Sequence, residues 1–308
     1  MSTSVQQSAT PRESTQGLRR IGVLVHPTRN LDEPLRLLRE WTQERGIEVV
    51  QIPAAYPQRR VADEGAAADC DLIVSIGGDG TTLAALRAGS VADRPVLGIA
   101  CGSLGALANV KVAGASRALE RFSRGDWLPR RFPALSIART EAEPLFALND
   151  LAIVRETGGQ VRLTALVDGT LFARMAGDGA VVSTPIGTSG YAISAGGPLF
   201  LPHVDGFVFT PLPKHGGFAP PLVIASKSEL VVDVAGAFAG ARIEVDGQIA
   251  GVGVGVLTIT FRPAVVTQVS FDDQEPLLAG LRRRGILLDS PRLVAEANRT
   301  GVNRRAET

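Results

Sequence analysis

The richest chemistry in this sequence belongs to an acid set among glycines. Ile76-Gly77-Gly78-Asp79-Gly80-Thr81 lies between an apolar run and a helical one that is predicted to begin near Thr81. Glycines let backbone amides approach a phosphate with no side chain in the way, and a helix N-terminus behind them adds partial positive charge. A carboxylate there repels the phosphate unless it has other work, either holding Mg²⁺ or taking a proton from an attacking hydroxyl. Read alone, the segment is equally a glycine-rich strand-to-helix turn with Asp79 as helix cap. Gly98 to Gly105 supplies a second glycine-rich turn at the end of another predicted strand. In a parallel sheet, turns at the C-terminal strand ends line one crevice.

Two further segments carry polar groups in unusual company. Leu148-Asn149-Asp150 places an amide and a carboxylate inside an apolar run, which suits the paired hydroxyls of a ribose or, equally, an Asx-turn. Gly177-Asp178-Gly179 leads into a stretch with hydroxyls at Ser183, Thr184, Thr188, Ser189, Tyr191 and Ser194, interleaved with glycines and fit to recognise a sugar or base. No G-x-x-x-x-G-K-[ST] loop and no G-x-G-x-x-G after a strand occurs, which argues against a P-loop enzyme and an ordinary Rossmann dehydrogenase. Cys70, Cys101, His26, His203 and His215 show no metal-ligand spacing, so no protein metal site is expected. His26 reads as a strand-end residue.

The elements that must position these groups fall into two regions. With 308 residues, 45% of them hydrophobic and 20% charged, the chain is globular and long enough for about two domains. A net charge of +1 gives no reason to expect nucleic acid or a membrane as partner, and only Lys111, Lys214 and Lys227 are lysines, so a phosphate clamp must rest on Arg or on backbone amides. Residues 1–17 read as a flexible, Ser/Thr/Gln-rich tail with neither signal peptide nor anchor, and a reducing cytoplasm fits the two cysteines. Strands IGVLVHP, IEVVQIP, DLIVSIGG and PVLGIA alternate with helical stretches, including one carrying Leu31, Leu35, Leu38 and Trp41, so residues 18–132 form an α/β domain on a parallel sheet. Past Pro133 the runs are short, β-rich and separated by Gly, Asp and Pro, with no convincing helix, which makes 133–273 an all-β, sandwich-like domain. Residues 274–308 look helical again and are expected to pack back on the α/β domain.

Taken together, the motifs resemble the NAD kinase family. IGGDGTTL at 76–83, LND at 148–150, GDG at 177–179, STP-x-G-x-x-x-Y-x-x-S-x-GGP at 183–198 and VDGQ at 245–248 occur in the family's order and spacing. Diacylglycerol and sphingoid-base kinases and phosphofructokinases resemble only the first. The resemblance implies an α/β domain and an all-β domain with the active site between them and across subunits, in a homodimer or homotetramer. It implies ATP-dependent phosphorylation, with Mg²⁺, of the 2′-hydroxyl of the adenosine ribose of NAD to give NADP. Gly77, Gly78, Gly80 and Thr81 would then cradle the donor phosphates, and Asp79 would activate the hydroxyl. Asn149 and Asp150 would hold the dinucleotide, Ser189, Tyr191 and Ser194 would surround its adenosine, and Asp178 would lie near the nicotinamide end. The chain departs from the family where Ala100 replaces an Asn, Ala106 an aromatic and Gly190 an Ala, and where Ala219-Pro220 stands in place of Arg-Pro. Two other readings follow from these departures: a kinase of the same build acting on a nucleoside, sugar or polyol, and a non-catalytic nucleotide-binding regulator.

Overall fold

The computed structural model describes residues 17–140, 142–201, 203–235, 240–252 and 255–300. Apart from Gly17, the expected tail lies outside them, as do residues 301–308 of the C-terminal segment. The N-terminal region contains β1 (Arg20–Val25), α1 (Asp32–Gln43), β2 (Glu48–Gln51), β3 (Leu72–Gly77), α2 (Asp79–Ala92), β4 (Val96–Ala100), β5 (Val110–Lys111) and α3 (Ala115–Ser123). The β-rich region follows with β6 (Leu128–Arg139), β7 (Ala142–Ala147), β8 (Asp150–Arg155), β9 (Val161–Val167), β10 (Thr170–Gly177) and β11 (Gly179–Ser183). After a short helix α4 (Tyr191–Ser194) come β12 (Gly206–Pro211), β13 (Leu222–Ala225), β14 (Glu229–Ala235), β15 (Ala241–Val245), β16 (Gln248–Val252) and β17 (Gly255–Ser270), and the chain ends with α5 (Leu277–Arg283) and α6 (Pro291–Thr300).

Strands β1, β3 and β4 read as unbroken apolar runs because both faces are covered. On one face lie α1, through Leu35, Leu38 and Trp41, and α3, through Leu119 and Phe122; on the other Leu83 and Leu86 of α2 pack. The order β2-β1-β3-β4 is parallel throughout, which places the turns after β1, β3 and β4 along one rim.

An α/β region and a β-rich region are both present, as expected, and one sheet runs through both. The order β10-β9-β14-β17-β4-β3-β1-β2, with β5 on β4 and β6-β7 on β17, makes eleven strands. β17 pairs with β14 early and meets β4 at Gln268, while β6 accompanies it antiparallel from Arg139 to Leu128. Pro133, where the composition shifts, lies inside β6. A second, six-stranded sheet, β13-β12-β11-β8-β15-β16, closes a sandwich over Leu151, Ile153, Val182, Phe207, Phe209 and Ile259. Asp168-Gly169 turns the β9–β10 hairpin of the first sheet and Asp246-Gly247 the β15–β16 hairpin of the second, with both residues at positive φ, 50° and 75° in the one and 51° and 76° in the other, the backbone a tight Asp-Gly turn requires.

The β-rich region is not free of helix. A 3₁₀ turn at Gly187–Ser189 and α4 interrupt it, because Thr184, Thr188 and Ser194 supply local hydrogen bonds that an alternating pattern does not announce. The C-terminal segment returns to the α/β region: Leu281 of α5 is fully buried, and Arg283 donates to the Leu104 carbonyl at 3.0 Å.

Candidate active site

The glycine turn forms as strand, turn and helix, with α2 beginning at Asp79, two residues before the expected start. Thr82 fixes the turn: its hydroxyl lies 2.8 Å from Ser75 Oγ and reaches the Gly78 carbonyl at 3.1 Å. Gly80 faces open space, and no side chain caps the first turn of α2. The amides at that end are therefore available to an anion. Thr81 is buried, packed where a Cβ on Gly77 would collide with it.

Asp79 does not cap its own helix. Its carboxylate reaches across to the loop after β4 and accepts from the amides of Ala106 (2.9 Å), Leu107 (3.0 Å) and Ala108 (2.9 Å). That approach explains Gly105, since a Cβ there would overlap the carboxylate. Arg284, just past α5, stands 3.6 Å from Asp79 Oδ2, and Arg130 stacks 4.6 Å over the Phe132 ring nearby. Burial of Arg130 works against its charge while the negative charge of Asp79 supports it. The acid is thus held in position by backbone and flanked by two guanidinium groups, which suits a centre where negative charge must be stabilised.

Arg29 and Arg284, assigned no role at the site by sequence reasoning, complete this rim together with His26, the residue that follows β1. Arg29, in the turn after β1, hydrogen-bonds the Cys101 carbonyl and lies over Gly78 and Gly102, where the absent side chains leave room for it. His26 shapes that turn by accepting the Thr28 and Arg29 amides on Nδ1, both at 3.2 Å. Burial and the neighbouring Arg29 hold His26 below its ordinary pKa, in the neutral form that can accept. The scarcity of lysine signalled that an arginine must serve; the position after β1 at the strand rim would have singled out Arg29. Arg284 carried no local signal.

On the other side, the backbone of Leu148-Asn149-Asp150 is spent on the protein itself. Asp246 accepts the amides of Leu148 (3.1 Å), Asn149 (2.7 Å) and Asp150 (3.2 Å) and also pairs with Arg87 of α2. The Thr184 hydroxyl bonds the carbonyls of Leu148 (2.6 Å) and Asn149 (3.2 Å). The Asn149 side-chain Oδ1 remains buried with no hydrogen-bond partner among the described residues. A buried acceptor left open in an otherwise satisfied loop marks a place for a ligand donor. Asp150 beside it is raised to about 7, chiefly by burial and further by Asp246 and Glu244.

The remaining predicted residues are gathered unevenly. Burial, Glu244, Asp178 and Asp150 all raise the Tyr191 phenol while Arg242 opposes them. Asp178 is paired with Arg155 at 2.9 Å. Ser189 donates to the Ile186 carbonyl and Ser194 to the Gly190 carbonyl, both at 3.2 Å, so each hydroxyl keeps only acceptor capacity for a ligand. No three His, Cys, Asp or Glu side chains among the described residues could together hold a metal ion, and none of the described helices is long and apolar enough to cross a membrane.

The sequence and the fold are similar to those of known proteins. Residues 18–127 match the model of the ATP-NAD kinase N-terminal domain and residues 148–251 that of the ATP-NAD kinase C-terminal domain. An NAD kinase of Heliobacterium modesticaldum is 32% identical over 230 residues, 70% of this chain and 80% of the relative. Among solved structures, yeast NADH kinase complexed with NADH superposes with a TM-score of 0.74 over 90% of both chains at 19% identity. An NAD kinase from Archaeoglobus fulgidus in complex with ATP gives a TM-score of 0.65 over 87% of this chain and 96% of that one, at 25% identity.

Proposed function

Because the chain belongs to the NAD kinase family, and so is a phosphotransferase acting on a hydroxyl group, we propose that it phosphorylates the adenosine-ribose 2′-hydroxyl of NAD, with ATP as donor, to give NADP. The observation that carries the acceptor assignment is the Asn149 loop, whose backbone is satisfied while Asn149 Oδ1 is buried and open. A ribose hydroxyl donates to Asn149 or Asp150, and Tyr191 packs against the adenosine. Asp178, paired with Arg155, sits toward the nicotinamide end, and Ser189 and Ser194 offer acceptors.

On the donor side, the open amides of Gly78 and Gly80, with the glycine at 77 and the buried Thr81 shaping the turn, take the phosphates. Asp79 receives the hydroxyl proton while Arg284 and Arg130 offset the charge that builds on the transferring group. With no cluster of metal-binding side chains among the described residues, Mg²⁺ enters as part of the metal–nucleotide donor, bound by its phosphates. The working unit is a homodimer or homotetramer.

The test is a coupled assay in which purified protein, ATP, Mg²⁺ and NAD are incubated and NADP is read by an NADP-specific dehydrogenase. NADP formation is expected. Turnover of ATP with NADH, a nucleoside, a sugar or a polyol in place of NAD would transfer the assignment to that acceptor, a reading favoured by Ala100, a buried apolar residue where the family carries an Asn. Nucleotide binding without turnover on any acceptor would leave a regulator.

A further inference from the structure

The end of β1 is completed by side chains instead of a strand. β2 pairs with β1 as far as Gln51 opposite Val23, the Ile52 amide reaches the Val23 carbonyl at 2.9 Å, and Pro53 then leads the chain away. β1 runs on to Val25, which is fully buried and pairs with β3 opposite Ile76. Its amide and carbonyl face the side that β2 has left, where an unpaired backbone group is costly. The loop after β2 meets both. Gln58 takes the place of a strand residue, accepting the Val25 amide on Oε1 and donating from Nε2 to the Ile52 carbonyl, each at 2.9 Å. The Tyr56 hydroxyl donates to the Val25 carbonyl at 3.4 Å. Other contacts anchor the loop itself: buried Gln51 accepts the Val61 amide at 2.8 Å and donates to the Arg59 carbonyl at 3.0 Å, and Arg39 of α1 reaches the Val61 carbonyl at 3.1 Å.

Two parts of the phosphate rim depend on this point. Immediately past Val25 comes the turn shaped by His26, whose Arg29 lies over Gly78 and Gly102. The Tyr56 phenol also faces Thr81: burial raises its pKa and the Thr81 hydroxyl works the other way, so the group is a neutral donor at working pH. Thr81 in turn packs on Gly77, its Oγ1 filling the space of a Cβ there. Charge-assisted contacts weaken steeply with distance and angle, so a small shift at the base of the Arg29 turn is felt by a phosphate and not at the Asn149 loop. We propose that Tyr56 and Gln58 are positioning residues for phosphoryl transfer: without touching either reactant, they hold the end of β1, and with it Arg29 and Thr81, at the geometry the donor phosphates need. This rests on the reading of the Gly78–Gly80 turn as the seat of those phosphates, and adds a loop outside the site on which donor affinity depends.

Full-length protein is titrated calorimetrically with the Mg²⁺ complex of adenylyl imidodiphosphate, and KM for ATP, KM for NAD and the urea midpoint are measured beside it. Tyr56→Phe removes one hydroxyl, and Gln58→Met keeps the length of the side chain. Each is expected to weaken the analogue and raise KM for ATP about three- to tenfold, with KM for NAD within about twofold. Both residues border an open cavity of about 590 Å³, so trimming them opens onto solvent and the fold survives. Gln58→Glu, which keeps an acceptor for the Val25 amide, should recover most of the affinity. Added to Arg29→Ala, Gln58→Met should cost less than about a further twofold, because the contact it positions is already gone. If the unaltered chain binds the analogue and both variants bind it equally well, or lose stability with the donor constants unchanged, the positioning assignment is overturned alone. A full further loss in the Arg29→Ala background overturns it for Gln58. No analogue binding by the unaltered chain overturns the donor-side reading with it.

Discussion

Arg87 and Asp246 join the two sides of the site through a 2.5 Å ion pair. Arg87 lies about two turns along α2 from Asp79, and Asp246 is the carboxylate that collects the three amides of the Leu148-Asn149-Asp150 loop. The helix that starts at the glycine turn therefore also anchors the Asn149 loop. The two partners are unequal, since the Arg87 side chain is 42% exposed and that of Asp246 only 3%. Asp246→Ala strands three partly buried amides and is expected to cost about 3 kcal/mol, whereas Arg87→Ala leaves the amides satisfied and costs about 1 kcal/mol or less. Urea denaturation of both variants at constant slope measures the difference; equal losses would show that the amides are not what Asp246 is there for.

Asp79→Asn is expected to lower kcat by about two orders of magnitude or more while ATP affinity stays within a few-fold. Binding is followed with a non-hydrolysable analogue and turnover by NADP formation. Near-normal turnover removes Asp79 from proton transfer and leaves it as the clasp of the Ala106–Ala108 loop.

Asn149→Ala takes away the open buried acceptor and should raise KM for NAD by about tenfold, the worth of one hydrogen bond in a dry site, with KM for ATP unchanged. A shift confined to the ATP constant would mean that donor and acceptor sides have been exchanged.

The pH dependence of acceptor binding should bear the mark of Asp150. Burial, then Asp246 and Glu244, raise it to about 7, so the unliganded fold favours the protonated acid and gives up that stability as pH rises through about 7. A ribose hydroxyl donates to the ionised form. Binding therefore releases a proton below pH 7, and KM for NAD should fall by up to about tenfold per unit as pH approaches 7 and level off above it. Asp150→Asn flattens this profile. A profile identical in the variant assigns the titration to another group.

Arg29→Ala should raise KM for ATP by about tenfold or more, since a charge-assisted contact to phosphate is lost, and leave KM for NAD unaltered. His26→Ala frees the Arg29 turn and should reproduce part of that loss. An unchanged ATP constant in Arg29→Ala would limit the residue to holding Cys101.

What could be read from the sequence was local. The glycine turn after β3, the Asp-Gly hairpins at 168–169 and 246–247 and the amphipathic α1 depend on neighbours within a few residues, and the pattern of the chain states them directly. The task of Asp246 was not legible, although its motif was visible, because Arg87 and the Leu148–Asp150 amides stand some hundred residues or more away in the chain. Asp79 could be read equally as a helix cap for the same reason: the amides it holds belong to the next loop of the sheet. β6 concealed its crossing of the compositional boundary, since a proline at 133 resembles a break, yet the β-bulge after Arg262 lets β17 follow β6 past it.

The departure at Ala106 also has a local explanation, as its amide, not its side chain, meets Asp79. That leaves the phosphate rim tolerant of side-chain drift in this loop and intolerant of any change at Gly105.

Since β6 and β17 stay paired on both sides of the bulge after Arg262, from one hydrophobic interior to the other, the halves of the molecule are not lobes joined by a flexible linker. Opening and shutting around reactants must fall to the short straps at Arg29 and Gly102–Gly105. Amide hydrogen exchange should accordingly find the spine as slow as the deepest core while those straps exchange quickly and slow down when nucleotide is added.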